Sequence, residues 1–369
     1  MRLISTLECK PGMKLGKPVY SSTGQKLVAN QMELTENMIA RLNGMGYEYL
    51  YIDDPNTEGI FIEDSIRIET RMAMRLSLER LLNQMFIHPA ALLDGRLSVY
   101  NLCWESISMV MSDLKNPRDD TIMLIQVGSP SKDSATGHFI QNAIDVCVFA
   151  TKIGISQGYY GKDLMALSLG ALLHDIGNFR LSQDVLLKPG ALTEGEFNHI
   201  KQHSELGYEL LKNEPGIPTS AALCALMHHE RINGSGYPNG LKGDEIHPFA
   251  RWVGLIDAYD AMTNPRPYRK ALMPNVAMEI LYAGAGTLYD LDKVELFRKK
   301  LAIFPVGLPV LLSTGEQGIV ARINRDFIQR PVVRVLKDPY GVAVSQPYEI
   351  DLSQKLNIMI DQIGESVAI

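Results

Sequence analysis

Between about residues 120 and 290 the chain runs in apolar stretches broken by Gly and Pro, with hardly any two-residue alternation, which predicts a helical bundle. The flanks read differently. In the first 58 residues, Pro18-Val19-Tyr20 and Lys26-Leu27-Val28 lie either side of Ser22-Thr23-Gly24, the pattern of a hairpin. Thr35 is placed as a helix N-cap, with Leu34 and Ile39 set for a hydrophobic staple. That helix is expected to reach about Leu42 and end near Gly44 and Gly46. The aromatic and β-branched run from Tyr47 to Ile52 then predicts a strand.

Residues 59–118 predict a helical linker region, with one helix from about Ile60 to Phe86 and another from Val99 to Leu114, stopping before Asn116-Pro117. In the tail, 301–369, three apolar runs beginning at Leu308, Gly318 and Pro331 and separated by turn residues predict a small β barrel or meander. The expected fold class is mainly α: a bundle over 119–300, a small α+β module at 1–58 and a small β-rich segment at 301–369.

Composition narrows the function. At 369 residues with 46% hydrophobic side chains, several cores are expected. The net charge of -6 argues against a nucleic-acid polymer as partner, because such binding rests on basic surface. Cys9, Cys103, Cys147 and Cys224 show no C-x-x-C spacing, which suits a reducing cytoplasm rather than a disulfide framework. The opening MRLISTLECKPG does not read as a signal peptide, and no apolar stretch approaches the ~20 residues of a membrane span.

Three helices of the bundle run apolar for two turns or more and then present imidazole or carboxylate groups: Leu164 to His174-Asp175, Ala221 to His228-His229-Glu230, and Ala250 to Asp257 and Asp260. A fourth begins at a Thr193–Glu196 capping box and carries His199 and His203 on one continuous helix. His203 shares its face with Ile200, Gly207, Leu210 and Leu211 and is expected to point inward. Buried polar groups at this density need one another or a metal. Imidazole and carboxylate without thiolate suit two divalent transition metal ions, Fe or Mn before Zn, bridged by Asp175. Two-metal sites of this kind cleave phosphoesters.

The motifs Leu172-Leu173-His174-Asp175-Ile176-Gly177, Leu187-Lys188-Pro189-Gly190, His228-His229-Glu230-Arg231, Asn233-Gly234-Ser235-Gly236-Tyr237-Pro238, Asp257-Ala258-Tyr259-Asp260-Ala261 and Arg266-Pro267-Tyr268-Arg269 together resemble the HD-GYP domain. The resemblance covers about residues 135 to 290. It implies metal-dependent hydrolysis of cyclic di-GMP, a cyclic dinucleotide, to the linear dinucleotide or GMP. It also implies that His174, Asp175, His203, His228, His229 and Asp257 are metal ligands, with His174, Asp175 and Asp257 catalytic, and that Tyr237, Arg266 and Arg269 lie near substrate. A homodimer or a signalling-protein partner is expected alongside the substrate.

The sequence departs from that family's pattern in three places. Asn142 stands where the first histidine is usual, and His138, one turn earlier on the same face, is the residue placed to compensate. Asn178 replaces a lysine after the His-Asp motif, in the substrate region. Asn233 replaces the usual Asp before Gly-Ser-Gly-Tyr-Pro. Two alternatives therefore stay open: a cyclic di-GMP receptor with little or no turnover, and an HD hydrolase of another nucleotide.

Overall fold

In a computed structural model of the protein, the structure describes residues 1–21, 24–62, 64–87, 98–115, 135–186, 188, 190, 192–264 and 271–364. The chain divides into two compact units, one holding residues 1–64 and 300–369, the other the described parts of 65–120 and 134–299.

In the first unit, the N-terminal segment carries β1 (Arg2–Ser5), β2 (Lys14–Leu15), β3 (Val19–Tyr20), β4 (Lys26–Val28), α1 (Glu36–Gly44) and β5 (Tyr49–Asp53). Strands β1, β5 and β2 form an antiparallel sheet in that order, and β3 and β4 form the expected hairpin. Thr35 caps α1, its hydroxyl accepting from Met38 N at 3.3 Å. Leu15, Leu34, Leu50 and Tyr47 close the core beneath.

The C-terminal segment adds β6 (Pro309–Leu312), β7 (Gln317–Arg322), β8 (Val332–Lys337), β9 (Ala343–Asp351) and β10 (Ile360–Ile363) as a five-stranded antiparallel sheet in the order β10-β6-β7-β8-β9. Ile60 packs with Val306, Ile319, Ala321 and Leu336, and Leu3 N donates to Gly307 O at 2.8 Å, so the two ends of the chain share one core.

The second unit is built from α2 (Ile68–Leu82), α3 (Val99–Leu114), α4 (Ala135–Ser156), α5 (Gly161–Leu173), α6 (Glu194–Lys201), α7 (His203–Leu211), α8 (Thr219–Met227), α9 (Pro248–Thr263) and α10 (Pro274–Ala283), with α11 (Leu291–Lys300) at its boundary. Every residue of α5 from Leu164 to Leu173 is buried, as expected of a helix apolar on all sides at the bundle centre. Helix α4 is 22 residues long, and by length and composition its stretch 136–156 could cross a membrane, where the sequence predicted no such stretch; 78% of its most apolar window is buried inside the protein. Its apolar character is that of a core helix. One further expectation is corrected: the helix begun at Thr193 does not run unbroken through His203 but stops at Lys201, with Gln202 between α6 and α7.

Candidate metal centre

Three helix ends and one helix interior converge. His174 is the C-cap of α5 and Asp175 opens the 3-10 turn Ile176–Arg180 that follows it. His203 starts α7, His228 is the C-cap of α8 with His229 next, and Asp257 lies within α9. Two glycines let the backbones approach. A Cβ on Gly177 would stand 2.0 Å from His203 O, and one on Gly254 would stand 2.1 Å from His228 O. Only a residue without a side chain permits those contacts.

The histidines are fixed by their own helices. His174 Nδ1 lies 2.8 Å from Ala171 O, His203 Nδ1 2.7 Å from Ile200 O, and His228 Nδ1 2.9 Å from Cys224 O and 3.0 Å from Ala225 O. A carbonyl oxygen only accepts, so each Nδ1 carries a proton, and Nε2 is the atom each ring turns to the centre. There the nitrogens meet carboxylates and one another. His203 Nε2 is 3.2 Å and His228 Nε2 3.6 Å from Asp175 Oδ1, while His174 Nε2 is 3.7 Å from Asp175 Oδ2 and 3.6 Å from Asp257 Oδ1.

His203 Nε2 and His228 Nε2 face each other at 3.3 Å. Two lone pairs at that distance repel unless a proton or a cation lies between them. His174 Nε2 and Asp175 Oδ1 are buried with no hydrogen-bond partner among the described residues. Buried polar atoms left unpaired in this way cost about 1–3 kcal/mol each without compensation, and a cation in place of the protons compensates several at once. Asp175, His203, His228 and His229 each bring one donor atom within 4.8 Å of all the others. The set fits a divalent transition metal.

The electrostatics agree. Burial works against the charge on Asp175, but His174, His228 and His203 outweigh it and hold the carboxyl well below its usual range. Asp257 is likewise buried yet lowered, chiefly through His174. Burial disfavours protonated His174, but Asp175 and Asp257 outweigh it and lift the ring to about 9. His203 and His229 are lowered, first by burial, which favours the neutral ring in both.

Around the centre, Asn142 is buried and donates through Nδ2 to Asp257 Oδ1 at 3.2 Å and to Asp260 Oδ2 at 2.7 Å. Its Oδ1 is buried and unpartnered. His138 is only half-buried, against Phe139, and does not join the group gathered about Asp175. Asn178 is buried and donates its backbone N–H to Asp175 O at 3.0 Å. Tyr237 stacks on His229, centroids 4.7 Å apart and planes at 27°. Arg266 and Arg269 lie outside the described residues.

Two features were not legible in advance. Glu230, within the His-His-Glu motif, is buried and accepts from Asn239 N at 2.8 Å and Leu241 N at 3.0 Å, so it holds the glycine-rich loop that carries Tyr237. Phe197 and Lys201 on α6 flank Tyr237: the two rings meet edge to face at 6.4 Å, and Lys201 Nζ lies 4.6 Å from the Phe197 centroid and 5.7 Å from that of Tyr237. Their four-residue spacing on the capping-box helix was the available signal.

Residues 132–292 match the family model described as HD domain, and residues 309–366 match one described as KOW domain associated with HD domain. The cyclic di-GMP phosphodiesterase response regulator RpfG of Xanthomonas campestris is 36% identical over 182 residues, 49% of this chain and 47% of that protein. The 3'3'-cGAMP-specific phosphodiesterase 1 of Vibrio cholerae is 39% identical over 153 residues, 41% of this chain and 34% of that protein. A solved HDG"Y"P protein, Bd1817 of Bdellovibrio bacteriovorus, is 15% identical with a TM-score of 0.48, covering 80% of this chain and 97% of that one. The chain thus spans less than half the length of these two curated relatives.

Proposed function

We propose that the chain, whose residues 132–292 match the HD domain family, is an HD-GYP protein and hydrolyses the phosphodiester bonds of cyclic di-GMP in a metal-dependent reaction. The observation that carries this reading is the convergence of imidazole Nε2 atoms on Asp175. Asp175, His203, His228 and His229 would hold one ion, and His174, Asp175 and Asp257 a second, with iron or manganese the metals best matched to imidazole and carboxylate. Bound there, such ions supply Lewis-acid polarisation of the phosphoryl group and an activated water.

The protein's own groups do the remaining work. Asp175 stays ionised at neutral pH and presents an oxygen to both halves of the centre. The carbonyls of Ala171, Ile200, Cys224 and Ala225 lock the ring tautomers, so no proton need be moved before ligation by His203 or His228. Asn142 turns its amide N–H groups to Asp257 and Asp260 and so orients Asp257 from behind. Burial, then the charges of Asp175 and Asp257, push the Tyr237 phenol far above its usual value, which keeps its O–H available to donate to a phosphate oxygen.

We place the activity in the cytoplasm, where unpaired cysteines persist. Similarity to a 3'3'-cGAMP-specific enzyme favours a second substrate, the mixed purine cyclic dinucleotide. Incubating the metal-loaded protein with cyclic di-GMP and with 3'3'-cGAMP and chromatographing the products tests both. Linear dinucleotide or mononucleotide that disappears on chelation is the expected result; intact substrate with a fully occupied centre refutes the enzyme and leaves a receptor.

A further inference from the structure

Among the described residues, Lys201 differs from neighbouring lysines in lacking a counter-ion. Lys188 is paired with Glu196 at 2.7 Å and Lys212 with Glu209 at 2.6 Å. Lys201 Nζ instead donates to the neutral Asn198 Oδ1 at 3.2 Å and lies over the faces of Phe197 and Tyr237, with no carboxylate in ion-pair range among the described residues. Phe197 is 45% exposed, an unusual position for a phenylalanine that already anchors a cation. Tyr237 links the pair to the centre through its stack on His229. An ammonium with no ion-pair partner among the described residues and a partly exposed aromatic ring therefore stand side by side at the edge of a candidate phosphodiester-cleaving site.

Taking the phosphodiesterase reading as given, we propose that Phe197, Lys201 and Tyr237 form a lip that positions the uncut half of a cyclic dinucleotide. Lys201 takes the second phosphate and the exposed part of the Phe197 ring takes one purine. The ammonium favours a phosphate because no described carboxylate offsets its charge, and a point donor tolerates either phosphate oxygen. Stacking uses the π-face common to all bases rather than the edge that distinguishes guanine from adenine. The lip therefore serves cyclic di-GMP and the mixed guanine–adenine dinucleotide alike, and discrimination between them lies elsewhere. Lys201 and Phe197 are positioning residues.

The test compares both cyclic dinucleotides with bis(4-nitrophenyl) phosphate, a small diester with neither a second phosphate nor a purine. Lys201→Gln is expected to raise KM for both dinucleotides about tenfold, the size of one lost charge-assisted hydrogen bond, with kcat within about threefold. Lys201→Arg should recover most of that loss. Phe197→Ala should raise KM about fivefold or more for both dinucleotides by similar factors, and Phe197→Trp should not. In each damaging variant the loss in kcat/KM on the dinucleotides should exceed that on the small diester by at least about fivefold. Metal content and melting midpoint are measured on every variant, and the two Lys201 variants carry the test if Phe197→Ala fails to fold. Equal losses on the small diester, or an unchanged KM in Lys201→Gln, overturn the lip. If turnover is too slow to follow, calorimetric titration of the metal-loaded protein with cyclic di-GMP must show the same weakening in Lys201→Gln. A wild type that cleaves the small diester but neither cleaves nor binds a dinucleotide overturns the reading beneath the proposal instead.

Discussion

One chemical change made at two glycines should have opposite effects. Gly195, in the first turn of α6, has open space where a Cβ would go. Gly195→Ala should therefore stabilise, by up to about 1 kcal/mol, through helix propensity and a less flexible unfolded chain. Gly254 lies in α9 with its Cα–H against the last turn of α8, and a Cβ would stand 2.1 Å from His228 O and 3.1 Å from the His228 carbonyl carbon. That is more than an ångström inside ordinary contact, and the obstacle is backbone that cannot rotate away. The same propensity gain of about 1 kcal/mol is then set against overpacking of about 1–3 kcal/mol, leaving Gly254→Ala level or destabilised by up to about 2. For a domain of this size each kcal/mol moves the midpoint by roughly 2–4 °C. Thermal denaturation of both variants, with and without metal, measures this. Because relief of the clash displaces His228, metal affinity in Gly254→Ala should fall about 10–100-fold, the usual cost of disturbing a ligand's support. A Gly254→Ala protein as stable and as tightly metal-loaded as Gly195→Ala would refute the packing of α8 on α9.

Asp175→Ala should abolish hydrolysis and remove most bound metal, as elemental analysis of the purified variant would show; wild-type content would take Asp175 out of the centre. Glu230→Gln loses one of two charge-assisted bonds and sets an amide N–H against a backbone N–H, so urea denaturation should show a loss of about 2 kcal/mol, and a change under 0.5 would mean the loop stands without it. Since the metal-free fold lifts His174 to about 9, its protonation stabilises that form fully below the unfolded value near 6.5 and the contribution fades as pH rises through 9. Metal must displace that proton, so affinity measured by chelator competition should rise from pH 7 to 9 by up to about tenfold per unit and level off above. A flat profile would exclude His174 as a ligand.

What could be read from sequence was what repeats locally. The edges of α3 at Val99 and Leu114, the Thr193–Glu196 capping box and the hairpin of Val19 and Val28 follow from spacing and cap residues alone. The strands β1 and β2 were missed because Arg2–Ser5 and Lys14–Leu15 are strands only by pairing with β5, some 40 residues away. Strand β9 was missed because Ala343–Asp351 is an edge strand, mostly exposed and interrupted by Pro347, so it lacks the buried alternation that marks a strand. Within the centre, motif positions marked the residues that converge, but the contacts of Glu230, Phe197 and Lys201 depend on a loop and a helix meeting in space. The break at Gln202 is also tertiary: α6 and α7 both remain helical in propensity, and His203 Nδ1 reaches Ile200 O across the junction.

Anomalous diffraction from crystals of the metal-loaded protein tests the central claim most directly. The account predicts a peak between the His203 and His228 Nε2 atoms, about 2.0–2.2 Å from each and from an Asp175 oxygen, with a second, weaker peak beside His174 and Asp257 and no third ion. Metal-loaded crystals with no peak between His203 and His228, or with the ion bound elsewhere, would contradict it.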